Sequence, residues 1–353
     1  MVDVLGYDIG GANTKAALVR IKNGNLLITE VAVEYFPIWK HPEKLTAILL
    51  VLKEELGVEK LDGVGVTMTA ELSDVYQTKR EGVHHILDCV RTTFPEVPIH
   101  VLNTDGKLES WDDAKQQPLG VAAANWAATG WLVSQNLRDC VVVDVGSTST
   151  SIIPILNGKV IALGKTDLDK LICGELVYTG GLRTNVASII QSIPTRNGVA
   201  GVSSELFALS ADIHIALGNI TEKDYTSETA DGRGKSLSEA LARLARVVCA
   251  DMEMLSSQEI INIAKYIADK QIQQIEYALK KVYTYTKSLT STKIPVVVTG
   301  IGKNFLAKKA AMNINVDTII DLGTLLTQKA VLATPAFGVA VMMANMIEGM
   351  IAK

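Results

Sequence analysis

The sequence predicts an α/β protein of two related lobes, residues 1–138 and 139–353, with a mainly helical insertion over about 166–293 in the second. Three observations carry that prediction. An apolar, β-branched run ending in Asp-x-Gly, followed by small and hydroxyl residues, occurs at 4–15 and again at 141–150. Each copy leads straight into another apolar run, 16–21 and 152–156, which predicts strand, tight turn, strand rather than strand to helix. Between 166 and 293 apolar residues recur instead at three and four, most clearly over 237–254 and 259–285, the spacing of amphipathic helices.

Along the chain, Asp8-Ile9-Gly10-Gly11 closes the first strand, and Asn23-Gly24 predicts a hairpin turn into a third. A helix is expected over 42–56, strands over 63–69 and 98–102, and a small-residue helix over 120–134. The second lobe repeats the opening. Asp144-Val145-Gly146 closes its first strand and Asn157-Gly158 matches the earlier hairpin turn. A further apolar run, 295–299, ends in Gly300-Ile301-Gly302; a strand at 318–322 and a helix at 337–352 finish the chain.

A chain of 353 residues, 48% apolar and 20% charged, has enough material for two buried cores. Its formal charge of −4 and the lack of a basic stripe argue against a nucleic-acid partner. Met1-Val2-Asp3 enters a strand directly, and the apolar stretch 336–347 is too short to span a bilayer. Cys89, Cys140, Cys173 and Cys249 are scattered and form no Cys-x-x-Cys pair. These features predict a reduced, cytoplasmic protein with no membrane partner, and they are compatible with a homo-oligomer.

The paired turns point to phosphate. Asp8 and Asp144, leaving strand ends, can hold a divalent ion such as Mg²⁺, and Gly10, Gly11 and Gly146 let backbone N–H groups approach phosphate oxygens. Asn13, Thr14, Ser147, Thr148 and Ser149 can donate to the same oxygens, and Lys15 adds positive charge. Aspartate and glycine are also ordinary turn residues; two matched copies, with Gly300 and Gly302 as a third element, favour phosphate binding. No organic cofactor is expected. Gly300-Ile301-Gly302 fails the dinucleotide fingerprint because Phe305 stands where glycine is needed, and Gly234-Lys235-Ser236 is no P-loop because Thr229 replaces its first glycine.

Thr69, Glu71 and Asp74 are expected at the tip of the strand over 63–69, where open α/β sheets bind ligands. Either Glu71 or Asp74 could serve as a general base or bind a metal, against the plainer reading of acids at a helix start. Arg183 lies in a glycine-punctuated segment and is a candidate phosphate clamp, with a structural ion pair as the rival reading. Asn103-Thr104-Asp105-Gly106 reads about equally as a turn or as a source of another carboxylate. His84-His85 cannot share a helix face, which argues against a metal site.

The two Asp-x-Gly turns, the Gly-x-Gly strand end and the small-residue segments 120–124 and 337–340 resemble the actin-like (ribonuclease H-like) ATPase superfamily. That resemblance implies lobes flanking a cleft, with connecting helices at a hinge. Residues 8–15, Thr69-Ala70-Glu71-Leu72, 174–180 and Thr229-Ala230-Asp231-Gly232-Arg233 resemble, more narrowly, the hydantoinase/oxoprolinase-related proteins linked to methanogen C1 metabolism. Ser151 departs from the pattern, since such proteins often carry aspartate after the hydroxyl run.

The resemblance implies methanofuran biosynthesis, and with it methanogenesis, by alkyl rather than phosphoryl transfer. The phenol oxygen of γ-glutamyltyramine would join the methylene of 5-(aminomethyl)-3-furanmethanol diphosphate, a furanmethyl diphosphate, releasing diphosphate. Catalysis would fall to Glu71, Asp74, Lys15 and Arg183, with Glu175 among the substrate-binding residues. The alternatives are an ATP-dependent small-molecule kinase or hydantoinase/oxoprolinase-like enzyme, and a non-catalytic nucleotide-sensing protein.

Overall fold

The structure, a computed structural model, describes residues 1–351; the expected helix end at Ala352 lies outside the described residues. Contacts divide the chain into two units. The first comprises Met1–Asp139, Ile155–Asp169 and the chain from Leu322 onward; the second comprises Cys140–Pro154 and Lys170–Asp321. The chain first passes between the units at Asp139 to Cys140. The C-terminal helix, expected in the second lobe, belongs instead to the first unit.

The first unit is built on a six-stranded sheet in the order β3-β2-β1-β4-β5-β6. Its strands are β1 (Val2–Ile9), β2 (Asn13–Lys22), β3 (Asn25–Tyr35), β4 (Gly63–Met68), β5 (Ile99–Leu102) and β6 (Leu108–Ser110). β1 runs antiparallel to β2 and parallel to β4. The β2–β3 turn needs left-handed backbone at both centres, and Asn23 (φ 52°) and Gly24 (φ 75°) supply it. Leu5, Tyr7 and Ile9 pack on one face with Leu49, Val66 and Ile86, while Val2 and Val4 pack on the other with Ala336, Ala340 and Met343.

That second face carries the C-terminal helix Thr334–Ile351. It lies so close to the sheet that a Cβ on Gly6 would sit 2.0 Å from the Ala336 carbonyl oxygen, and one on Gly65 2.7 Å from that of Val339. The helix expected over 120–134 is in fact two, Pro118–Val121 and Asn125–Ser134, broken where Ala123 takes φ 52°. Small side chains permit a helix but do not enforce one through a residue held left-handed.

The remaining strands are β7 (Cys140–Val145), β8 (Thr150–Leu156), β9 (Lys159–Val160), β10 (Leu176–Val177), the hairpin β11 (Ser192–Thr195) and β12 (Gly198–Gly201), β13 (Val296–Thr299) and β14 (Ile319–Asp321). The second sheet runs β10-β8-β7-β13-β14, with β9 beside the end of β8. Asn157 (φ 53°) and Gly158 (φ 71°) repeat the hairpin turn. The insertion packs the helices Ser210–Ala216, Leu237–Arg246 and Ser257–Ser288 around Ile213, Leu244, Ile260 and Ile267. The helix expected over 237–254 stops at Arg246, and the next begins from a capping box of Ser256 with Glu259. Among the described residues no helix is long and apolar enough to cross a membrane.

Candidate active site

In the first unit the β1–β2 turn is closed by the Gly10 N–H donating to the Asn13 carbonyl at 3.0 Å. The Gly11 and Ala12 carbonyls accept from Ile38 and Phe36, each at 3.0 Å. In the second unit the β7–β8 turn is closed the same way, Gly146 N–H to Ser149 O at 2.9 Å. Here the Gly146 and Ser147 carbonyls accept from Gly181, Leu182 and Arg183 at 2.9–3.0 Å. Each turn therefore has its carbonyls drawn to one side by a neighbouring segment. Because the peptide is planar and trans, the N–H that follows each held carbonyl faces the opposite way.

The likeness extends to the parallel neighbour of each aspartate strand. Asp8 is in register with Thr67 of β4, and Asp144 with Thr299 of β13. Both threonine hydroxyls are buried without a hydrogen-bond partner, as is that of Thr14. An unmet buried hydroxyl is costly unless a water or a ligand oxygen completes it. Sequence reasoning missed Thr67 and Thr299. The signal was present, since both close apolar runs beside an Asp-x-Gly strand, but their partner strands lie far away in sequence.

Thr69 follows β4, and its N–H donates to Ile9 O at 3.0 Å, so the strand tip abuts the Gly10 turn. Glu71 sits in a single 3-10 turn, Ala70–Leu72, and is 1% exposed. Neither carboxyl oxygen has a partner at hydrogen-bond geometry; the N–H groups of Ala123 and Glu71 itself face it only loosely. Burial raises the carboxyl to about 7, partly opposed by Lys79, whose ammonium is 3.8 Å from Oε1. Gly82 makes room for this, since a Cβ there would lie 2.6 Å from the Glu71 Cα. Lys79, Asp167, Gly82 and Ala123 were not legible as site residues; each reaches Glu71 through tertiary packing alone.

Gly300 and Gly302 do meet the second turn. Gly300 takes φ 83°, and a Cβ there would fall 2.3 Å from Val145 O and 2.7 Å from Asp144 Oδ1. The Gly302 N–H donates to Val145 O at 3.1 Å. Arg183 leans over the same turn, its Nη1 3.2 Å from Thr148 Oγ1.

The other expected residues have surroundings of their own. Lys15 donates to the Leu332 carbonyl at 3.2 Å, at the end of the helix Gln328–Leu332 rather than at the turn. Asp74 is exposed, one residue past the 3-10 turn's cap, not buried beside Glu71. Glu175, placed among the substrate-binding residues, is 1% exposed and paired with the equally buried Lys170 at 3.3 Å. Asp231 of the 229–233 loop is held by Arg243 and Arg246 at 3.1 and 3.0 Å, which makes it an internal anchor. Gly234-Lys235-Ser236 ends in the N-cap Ser236, and Glu239 of that capping box also accepts from the Gly234 N–H. Asn103 Oδ1 accepts from Asp105 and Lys107, so the 103–106 segment is a turn.

The family model for hydantoinase/oxoprolinase matches residues 62–346. The chain belongs to the hydantoinase/oxoprolinase family. Within it, a curated relative from Methanocaldococcus jannaschii is 40% identical over 346 residues, covering 98% of each chain. That relative is named (4-{4-[2-(gamma-L-glutamylamino)ethyl]phenoxymethyl}furan-2-yl)methanamine synthase. One of the same name from Methanococcus vannielii is 36% identical over 60% of this chain and 95% of its own. An acetone carboxylase solved without nucleotide aligns with TM-score 0.53 at 10% identity, covering 96% of this chain and 69% of the other. The fold is α/β and actin-like, with two mixed sheets and helices.

Proposed function

We propose that this hydantoinase/oxoprolinase member is a methanofuran-pathway transferase. It condenses 5-(aminomethyl)-3-furanmethanol diphosphate with γ-glutamyltyramine to an aryl furanmethyl ether. The observation that carries this reading is 40% identity across 98% of both chains with a synthase named for such an ether.

The reaction balances simply. A bond forms between the phenol oxygen and the furanmethyl carbon, the carbon–oxygen bond to diphosphate breaks, and its electron pair leaves with diphosphate. The phenol proton passes to a base. A phenol with a pKa of about 10 gives up its proton near neutrality only to a suitably placed acceptor. Glu71 is assigned that role, since its carboxyl is buried, raised to about 7 and without a bonded partner. The leaving diphosphate is assigned to the second unit's turn, whose Ser147 and Thr148 N–H groups face away from the segment holding the Gly146 and Ser147 carbonyls, with Arg183 adding charge.

Mg²⁺ is a further proposal, with Asp8 or Asp144 as its carboxylate. The hydroxyls of Thr67 and Thr299, in register with these aspartates, are hard oxygen donors suited to it. Among the described residues no three His, Cys, Asp or Glu side chains cluster as metal ligands. The donor set fits Mg²⁺ when substrate phosphate oxygens complete the shell. When bound, the ion would neutralise charge on the leaving group.

The test is to mix purified protein with the furanmethyl diphosphate and γ-glutamyltyramine and follow ether and diphosphate by mass spectrometry, with and without EDTA. Ether and diphosphate in equal amounts support the reading. ADP formed from ATP with a candidate acceptor, and no ether, would replace it with the kinase alternative.

A further inference from the structure

A line of buried polar side chains crosses the second unit and ends at the segment that grips the β7–β8 turn. Gln271, midway along the helix Ser257–Ser288, is fully buried. Its amide nitrogen donates to the Gly180 carbonyl at 2.8 Å and to Thr179 Oγ1 at 2.9 Å. A carbonyl only accepts, so these contacts fix which way the amide points. Its oxygen then faces His214 Nε2 at 3.1 Å, and that nitrogen must carry the proton. His214 Nδ1 accepts from the Asn219 amide, also at 3.1 Å. Every donor in the line Asn219, His214, Gln271, Gly180 has one direction. Burial holds the imidazole down to about 4, so it stays neutral and the line does not reverse near pH 7.

The far end of the line controls a tight contact. A Cβ on Gly180 would lie 2.6 Å from the Thr148 backbone nitrogen, so the two backbones touch. The Gly180 N–H donates to Thr184 Oγ1 at 2.9 Å, which closes residues 180–184 into a loop. From that loop the N–H groups of Gly181, Leu182 and Arg183 hold the Gly146 and Ser147 carbonyls.

We infer that Gln271 and His214 are positioning residues, which set the 180–184 loop and through it aim the Ser147 and Thr148 N–H groups at the leaving diphosphate. Neither touches substrate. The inference rests on the proposed transferase reaction, and it adds which side chains tune that enzyme's affinity for diphosphate.

The experiment exploits the ring of Phe305, whose centroid is 4.2 Å from that of His214. His214→Phe keeps the ring packing and deletes the donor to Gln271; His214→Gln restores an amide donor near the Nε2 position and gives up the ring. Steady-state constants for both substrates, the inhibition constant of inorganic diphosphate and thermal melts are measured on the two variants and on Gln271→Leu. Positioning predicts that His214→Phe and Gln271→Leu raise KM for the furanmethyl diphosphate and weaken diphosphate inhibition about tenfold or more. KM for γ-glutamyltyramine stays unchanged, and His214→Gln recovers most of the loss. If instead His214→Gln is the worse variant, or both KM values change together, the side chains serve packing only and the inference falls. Should Gln271→Leu not fold, the ranking of the two His214 variants decides alone. A wild-type protein that makes no ether overturns the transferase reading instead, and inhibition is then replaced by direct diphosphate binding in the same ranking.

Discussion

The Lys79 ammonium stands 3.8 Å from Oε1 of the buried Glu71 carboxylate, yet it directs its short bond, 2.6 Å, to Asp167. Glu71 thus has a neighbouring positive charge without a hydrogen bond from it. A fully bonded ammonium would hold the carboxylate ionised and make it a poor base; shared with Asp167, it leaves burial as the dominant influence.

Replacing Glu71 by Gln is expected to lower kcat about 10²- to 10⁴-fold at pH 8. The base form is the ionised one, so wild-type activity should rise with pH through about 7, and the variant should lose that limb. A pH–rate profile checks both. A variant as active as wild type with the same profile removes Glu71 from the mechanism.

The same substitution has a stability consequence of opposite sign. The folded carboxyl is raised to about 7 from an ordinary 4.5. Between those values the native state keeps a proton that the unfolded state has lost. Wild-type stability therefore falls as pH climbs through this window, by roughly 3 kcal/mol in all. Glu71→Gln should show no such fall and should melt higher than wild type at pH 8, as thermal scans at pH 4.5 and 8 would reveal.

Lys79→Met takes away the charge that lowers the Glu71 carboxyl. The activity limb should move to higher pH, leaving less activity at neutrality and recovering it in more alkaline buffer. A limb that stays in place would mean that Lys79 acts only through Asp167.

Two glycine substitutions separate the turns from their surroundings. Gly82→Ala drives a methyl onto the Glu71 backbone and should cost about 1–3 kcal/mol in denaturant titrations, with kcat falling alongside. Gly300→Ala forces φ 83° on an L-residue and crowds the Asp144 carboxylate, so diphosphate affinity should weaken as well as stability. Calorimetric titration with inorganic diphosphate measures the second effect.

Much of the frame is legible in the sequence. The Asp-x-Gly endings, the alternation around them and the Asn-Gly pairs are local signals, and the two meanders, their hairpin turns and the helical insertion followed from backbone preferences that neighbours in sequence impose. Gly300 was legible as a glycine turn closing a strand, but its place beside the second turn comes from the parallel pairing of β13 with β7. Fates decided by partners far along the chain were not legible. Lys15 caps a helix more than three hundred residues away, and Thr67 and Thr299 acquire their place only through parallel register. The sequence by itself therefore determined the elements and the residue types gathered at their turns. Only the tertiary structure decided which charges are left unmet, because burial and pairing depend on what packs against a side chain.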